Sequence, residues 1–81
     1  PFNPETVIPF ALPEASDVRL TIYNVLGQQV AYLVEDRLAA GFHRVTWSGR
    51  DEYGRQVASG LYFVRMQASE FNTVRKMMLL K

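Results

Sequence analysis

The chain lacks several features that commonly define a class of protein. It has no cysteine in 81 residues, which excludes a disulfide framework, a thiolate nucleophile and a zinc thiolate site. No apolar run approaches the roughly 18 to 20 residues that a bilayer-spanning helix needs. The opening residues have neither a basic start nor an apolar core, so no signal peptide is expected there. A chain that begins on Pro1 without Met is interpreted as the trimmed end of a larger polypeptide.

Strong charge of one sign is also lacking. Nine Lys and Arg face eight Asp and Glu, for a net charge of +1, and the basic residues are spread along the chain. This pattern contains no basic patch of the kind that binds nucleic acid. A hydrophobic fraction of 48% with 21% charged residues is that of a globular protein, and it excludes disorder and a coiled coil. At this length we expect one domain, residues 1–81.

Helical periodicity is nearly absent, and alternation of apolar and polar residues dominates. The sequence therefore predicts an all-β fold with seven short strands, over residues 7–12, 18–23, 28–34, 42–47, 55–58, 61–68 and 71–80. Residues 35–37 are predicted to form a charged loop, followed by a short helical turn at 38–40. Turns at regular spacing favour an immunoglobulin-like sandwich of two antiparallel sheets, and a small barrel is the alternative.

Two of the predicted strands have clear faces. In the first, Ile8, Phe10 and Leu12 share one side, and Pro9 indicates an edge strand because proline cannot donate to a β-ladder. In the second, the apolar side chains alternate with polar ones and are predicted to form core: Val18, Leu20 and Ile22.

The stretch from Trp47 to Phe63 contains the only tryptophan, three glycines and an acidic turn. Asp51 and Gly54 stand first and fourth in a turn, where a short acceptor side chain bonds the backbone and glycine tolerates positive φ. Residues 24–27 repeat this turn pattern, with Asn first and Gly fourth. The residues predicted to define the fold are two core anchors and three turn positions: Trp47, Tyr62, Asp51, Gly54 and Gly60.

The sequence offers no catalytic, cofactor or metal site. His43 is the only histidine and is interpreted as a strand residue at the margin of the sandwich, since no partner can be assigned to it. Ser48 and Ser59 lie beside glycines but not in a Gly-x-Ser-x-Gly elbow. Four carboxylates lack the alternating spacing of a calcium loop and are assigned to turns: Glu35, Asp36, Asp51 and Glu52. We expect a protein that is not an enzyme.

Aromatic side chains on an exposed face of a β-sandwich can form a sugar-binding platform. Most of them are assigned to the core or to strand pairs, because large rings fill a small interior efficiently: Tyr23, Tyr32, Phe42, Trp47, Tyr62, Phe63 and Phe71. Tyr53 is the exception, since its turn holds it in solvent. One exposed ring is a poor platform for a sugar.

The carboxyl end, residues 75–81, is an apolar run bracketed by cations. One interpretation is a terminal strand whose lysines discourage edge-to-edge aggregation. The other is a terminal address that other proteins recognise.

The ordered motifs resemble a known family. Pro-Phe-Asn-Pro-Glu-Thr at residue 1, Leu-x-Ile-Tyr-Asn-x-Leu-Gly-Gln at 20, Ala-Gly-x-His-x-Val-x-Trp-x-Gly-Arg-Asp at 40, Val-Ala-Ser-Gly-x-Tyr-Phe at 57 and Arg-Lys-Met-Met-Leu-Leu-Lys at 75 are similar to carboxyl-terminal sorting domains of the bacterial type IX secretion system. The middle motifs also resemble the immunoglobulin-like domain of flagellar hook-capping proteins.

The resemblance to sorting domains implies a function without catalysis. The chain would direct an attached secreted cargo protein from the periplasm through the outer-membrane type IX translocon of a Gram-negative bacterium, to the cell surface or the medium. A sortase-like peptidase would be a second partner. Translocon recognition is then expected at the terminal segment: Lys76, Met77, Met78, Leu79, Leu80 and Lys81. The alternative is a structural or carbohydrate-binding accessory module of a secreted polysaccharide-degrading enzyme.

Overall fold

In the part of the chain that the structure describes, six antiparallel strands form two sheets that pack face to face. The computed structural model describes residues 5–69 and 71–80, and within them the strands are β1 Thr6–Leu12, β2 Ser16–Tyr23, β3 Gln29–Leu38, β4 Gly41–Trp47, β5 Gly60–Ala68 and β6 Phe71–Leu79. One sheet contains β1 and β4, and the other has the order β3-β2-β5-β6. The predicted immunoglobulin-like β-sandwich is therefore confirmed, with six strands rather than seven.

The core lies between the sheets and follows the predicted alternation. Both apolar rows named from the sequence are buried, one on β1 and one on β2. The four-stranded sheet adds further buried side chains, namely Val30, Ala31, Tyr62, Val64, Met66 and Leu79. Along β1 and β5 every second residue points inward, because successive side chains of a strand alternate between its two faces. Val30 and Ala31 of β3 are consecutive and both buried, at the point where the pairing of β3 with β2 shifts register.

Pro9 lies in an edge strand, as predicted. Its strand, β1, pairs along its whole length with β4, with Thr6 opposite Trp47 and Leu12 opposite Gly41. Among residues 5–69 and 71–80, no other strand pairs with β1. The missing N–H of proline therefore costs no ladder hydrogen bond on the open side.

The predicted charged loop at residues 35–37 is wrong. These residues belong to β3, which continues to Leu38 and pairs there with the start of β2. Two ion pairs cross this part of the ladder, at 3.0 Å between Arg19 and Glu35 and at 3.6 Å between Arg37 and Asp17. Charged side chains fit here because their face of the sheet is open to solvent. The helical turn predicted at 38–40 is also wrong, because Leu38 is still in the strand.

The predicted strand at 55–58 is wrong as well. This segment contributes a single bridge between Gln56 and Arg50. Its backbone is used locally instead, because the Val57 N–H donates to the Gly49 carbonyl at 3.0 Å and the Arg55 N–H donates to the Asp51 carboxylate at 2.9 Å. The bonds that would have formed a ladder thus close a loop between β4 and β5.

Candidate functional site

The two sheets are joined by a pair of aromatic rings. Trp47, the last residue of β4, is 1% exposed, and Tyr62 on β5 lies against it from the opposite sheet. The ring centroids are 5.0 Å apart in an edge-to-face arrangement of 71°, which aromatic pairs prefer over a parallel sandwich. Both predicted core anchors therefore meet across the interior.

The polar atoms of this pair are bonded to loop carbonyls. Trp47 Nε1 donates to the Arg50 carbonyl at 3.0 Å, and the Tyr62 hydroxyl donates to the Ala58 carbonyl at 2.6 Å. Burial raises the pKa of Tyr62 above its ordinary value, because a phenolate would be poorly solvated there. Each hydrogen bond ties one end of the loop at residues 48–59 to a core ring.

The turn at Asp51 is organised by its side chain. Asp51 Oδ1 accepts the N–H groups of Tyr53 and Arg55, both at 2.9 Å, and the Gly54 N–H donates to the Asp51 carbonyl at 3.0 Å. Gly54 has φ of 81°, a region that other residues rarely adopt. The bond from the Arg55 N–H, with help from that of Tyr53 and the Arg55 guanidinium, lowers the pKa of Asp51 below 3.8. The acidic turn is thus an acceptor for backbone groups.

The turn at Asn24 repeats this geometry without the charge. Asn24 Oδ1 accepts the N–H groups of Leu26 and Gln28, both at 3.0 Å, and Gly27 has φ of 79°. Its backbone bond from the Gly27 N–H to the Asn24 carbonyl is 3.0 Å long. The two turns predicted to be analogues therefore share one hydrogen-bond pattern, in which the acceptor is an amide oxygen in one turn and a carboxylate oxygen in the other.

Two further features attach the loop to its neighbours. The Glu52 N–H donates to the Val30 carbonyl at 3.0 Å, so the acidic turn is fixed to β3 of the opposite sheet. Gly60 begins β5 with φ of 149°, which is again unfavourable for a residue with a side chain. The predicted turn residues thus position the loop and do not converge on a shared pocket.

The candidate catalytic residues are dispersed. His43 lies on β4 with its ring stacked on Phe10, with 5.2 Å between centroids, and its Nε2 is 2.7 Å from the Ala39 carbonyl. A carbonyl only accepts, so Nε2 carries the proton in this contact. Within residues 5–69 and 71–80, no three His, Asp or Glu side chains are grouped where they could hold a metal ion. The same residues contain no helix long and apolar enough to cross a membrane.

The assignment of most aromatic rings to the interior is wrong for Phe42 and Tyr32. Phe42 is 93% exposed and Tyr32 about half exposed. Phe42 points away from Trp47 along the alternation of β4, and the outer face of its two-stranded sheet is open. Tyr53 is exposed as predicted, with the Arg55 guanidinium 5.1 Å from its ring centroid. The exposure of Phe42 could have been predicted from the alternation of β4, because Phe42 and Trp47 stand on opposite faces of that strand.

The carboxyl-terminal run is part of the sandwich. Residues 76–79 pair with β5, Lys76 opposite Phe63 and Leu79 opposite Gly60. Leu79 is 1% exposed and belongs to the core, whereas Met77 is half-buried. Lys76, Met78 and Leu80 are exposed. Lys81, also predicted to contribute, lies outside the described residues.

This geometry defines the class of protein as an immunoglobulin-like β-sandwich whose sheets are joined by a Trp–Tyr pair. A family model described as the FlgD Ig-like domain matches residues 3–71, and the chain belongs to that family. This confirms the predicted similarity to the immunoglobulin-like domain of flagellar hook-capping proteins. The family match ends at the first residue of β6.

Among solved structures, the chain is similar to FlgD from P. aeruginosa. The TM-score is 0.73 at 24% identity, and the match covers 93% of this chain and 59% of that one. At this identity the likeness shows the fold alone, and the chain spans about three fifths of the FlgD chain. None of the curated proteins compared matches this chain.

Proposed function

We propose that this chain is a non-catalytic sorting module, which directs an attached secreted protein through the outer-membrane type IX translocon. Two things support the proposal. The first is the resemblance of its ordered motifs to type IX sorting domains, including a terminal Arg-Lys-Met-Met-Leu-Leu-Lys run that extends past the family match. The second is the position of that run, which places exposed apolar and basic side chains on one edge of the sandwich.

The open edge of β6 is the observation that carries the proposal. Among residues 5–69 and 71–80, β5 is the only strand paired with β6. An edge strand presents unpaired N–H and C=O groups to which another chain can add a strand. Met78 and Leu80 remain more than half exposed there. The translocon would recognise this edge as part of a folded domain, with Leu79 holding it in place from the core.

The buried position of Leu79 determines how the proposal is tested. Deleting residues 75–81 would remove a core side chain and most of the partner of β5, so a loss of export would not separate unfolding from lost recognition. We therefore choose Met78→Glu and Leu80→Glu, which alter exposed side chains. Val7→Glu is the matched control, because Val7, on β1 of the other sheet, is about as exposed as Met78.

The assay fuses residues 1–81 to an inert periplasmic reporter in a host with the type IX system. The wild-type fusion should appear at the cell surface or in the medium, Val7→Glu should behave like wild type, and Met78→Glu and Leu80→Glu should leave the reporter in the periplasm. Thermal unfolding of each purified domain checks that all are folded. Export of both β6 variants at the wild-type level would refute the proposal.

A second candidate function is that of a carbohydrate-binding accessory module. The observation that favours it is Phe42, whose ring is in solvent beside a groove lined by residues 9–11 and 42–44. Exposed rings can stack on sugars, and Arg44 in the same groove is a hydrogen-bond donor. Saturable glycan binding that is lost in Phe42→Ala but kept in Tyr53→Ala would support this function. An absence of glycan binding would remove it.

A further inference from the structure

The open edges of the two sheets differ in how they are protected from pairing with other chains. Natural sheets block their edges with proline, β-bulges, charges or a covering element. β1 has Pro9 at its centre, β3 has two register irregularities against β2 and carries the charged residues 35–37, and β4 lies against β3. Three of the four edges are therefore blocked or covered.

β6 is protected least. It pairs with β5 over nine residues, 71–79, without a register shift, and it contains no proline. Its side chains on the outer face of the sheet include Val74, which is 60% exposed, and Met78, which is 54% exposed. A long, regular edge with exposed apolar side chains is the form that accepts an added strand.

Lys76 lies between these two apolar side chains on the same face. It stands opposite Phe63 on β5, and no carboxylate in the described residues pairs with it. The three ion pairs found there use Arg19, Arg37 and Arg55 instead. Lys76 is thus an uncompensated cation at the centre of an apolar edge.

The neighbouring cation, Arg75, is already bound. Its Nη2 donates to the Pro9 carbonyl at 2.7 Å, which joins the edge of the four-stranded sheet to β1 of the other sheet. This bond holds β6 against the rest of the domain and leaves Lys76 as the charge that faces an incoming strand.

We propose that β6 accepts an extended segment of a partner protein. In this segment a carboxylate side chain meets Lys76, and the apolar side chains on either side of the carboxylate meet Val74 and Met78. The added strand would place every second side chain on this face, opposite the alternating residues of β6. Opposite charges and apolar pairs across neighbouring strands each contribute about 0.2 to 1 kcal/mol. The inference deepens the proposed function by assigning a chemistry to the segment that binds.

The competing explanation is that Lys76 only repels other strands. It predicts that no peptide adds to β6, whatever its charge. The two explanations therefore differ in the response to an acidic peptide.

The experiment is an NMR titration of the isotope-labelled 81-residue chain with blocked heptapeptides. The probe is Thr-Val-Thr-Glu-Thr-Val-Thr, and the first comparison peptide has Lys in place of Glu. We expect the acidic peptide to shift the backbone amides of β6, and the basic peptide to bind about 2- to 30-fold more weakly, as the loss of an attractive pair and the gain of a repulsive one imply. In Lys76→Glu the preference should reverse.

Two controls make the result specific. Arg44→Glu makes the same charge change at an exposed position of the other sheet and should leave the preference unchanged. The acidic peptide with alternate backbone nitrogens methylated should not bind, because it cannot form the ladder. The inference is overturned if β6 shows no shifts with the acidic peptide, if both charges bind equally, or if the methylated peptide binds as well. The peptide result decides this inference, and the export assay decides the proposed function.

Discussion

Truncation of Trp47 tests whether this ring is a structural anchor. The side chain is almost fully buried, and a buried tryptophan removes roughly 150 to 250 Å² from water. At about 25 cal/mol per Å² this area corresponds to roughly 4 to 6 kcal/mol. Because the unfolded chain already buries part of it, we expect Trp47→Ala to lower the free energy of unfolding by about 3 to 5 kcal/mol.

This loss is large for a domain of 81 residues, whose total stability should be about 4 to 12 kcal/mol. Trp47→Phe is therefore the more informative variant if Trp47→Ala does not fold. It keeps a ring against Tyr62 but removes the hydrogen bond to the Arg50 carbonyl at 3.0 Å. We expect it to lose about 1 to 3 kcal/mol, from the smaller apolar area and the carbonyl left without its donor.

The assay is urea unfolding followed by far-UV circular dichroism, since Trp47 is the only tryptophan and its fluorescence disappears with the substitution. Phe42→Ala is the matched control, because Phe42 lies on the same strand but points into solvent. Its free energy of unfolding should change by no more than about 0.5 kcal/mol. Equal stability of Trp47→Ala and Phe42→Ala would refute the anchoring role.

Three further predictions concern the turns and the terminal strand. Because the pKa of Asp51 is lowered in the folded state, its contribution to stability is present above its ordinary pKa of 3.8 and is lost as the pH falls through the folded value. Asp51→Asn should keep the turn, as Asn24 does, and thermal unfolding between pH 6 and 2 should show a smaller acid-induced drop in Tm than wild type; an equal drop would contradict this. Leu79→Ala should cost about 2 to 5 kcal/mol in urea unfolding and Leu80→Ala less than about 0.5 kcal/mol, and similar losses would argue against the observed facing of β6. Gly54→Ala should lower the Tm because of its positive φ, although a Cβ there would meet open space, and an unchanged Tm would show that the turn adapts.

Local features of the fold were predictable wherever neighbouring residues decide them. The inward rows of β1 and β2 follow from alternation alone, because side chains of a strand point to its two faces in turn. The turns at Asp51 and Asn24 follow from an acceptor side chain and a glycine three residues later, since the bonds that the acceptor side chains receive form within five residues. The exposure of Tyr53 follows from the same local geometry.

The failed predictions involve contacts with distant parts of the chain. A loop was predicted at residues 35–37 because they are charged. They extend β3 instead, because β2 lies beside them with backbone groups to pair with and with oppositely charged side chains. Residues 55–58 have the composition of a strand, but the N–H groups of Arg55 and Val57 donate to Asp51 and Gly49 instead of to a neighbouring strand. Neither outcome can be read from the segment itself, because backbone groups pair with whatever the fold brings near them.

In the carboxyl-terminal run, local sequence and distant contacts determine different features. The sequence by itself determined that apolar residues flanked by cations stand there and that alternate side chains face opposite ways. Only the tertiary structure decided which face is buried, because that depends on the register of β6 against β5 and on the sheet packed over it. This register places Leu79 in the core and leaves Lys76 and Met78 exposed on the edge strand.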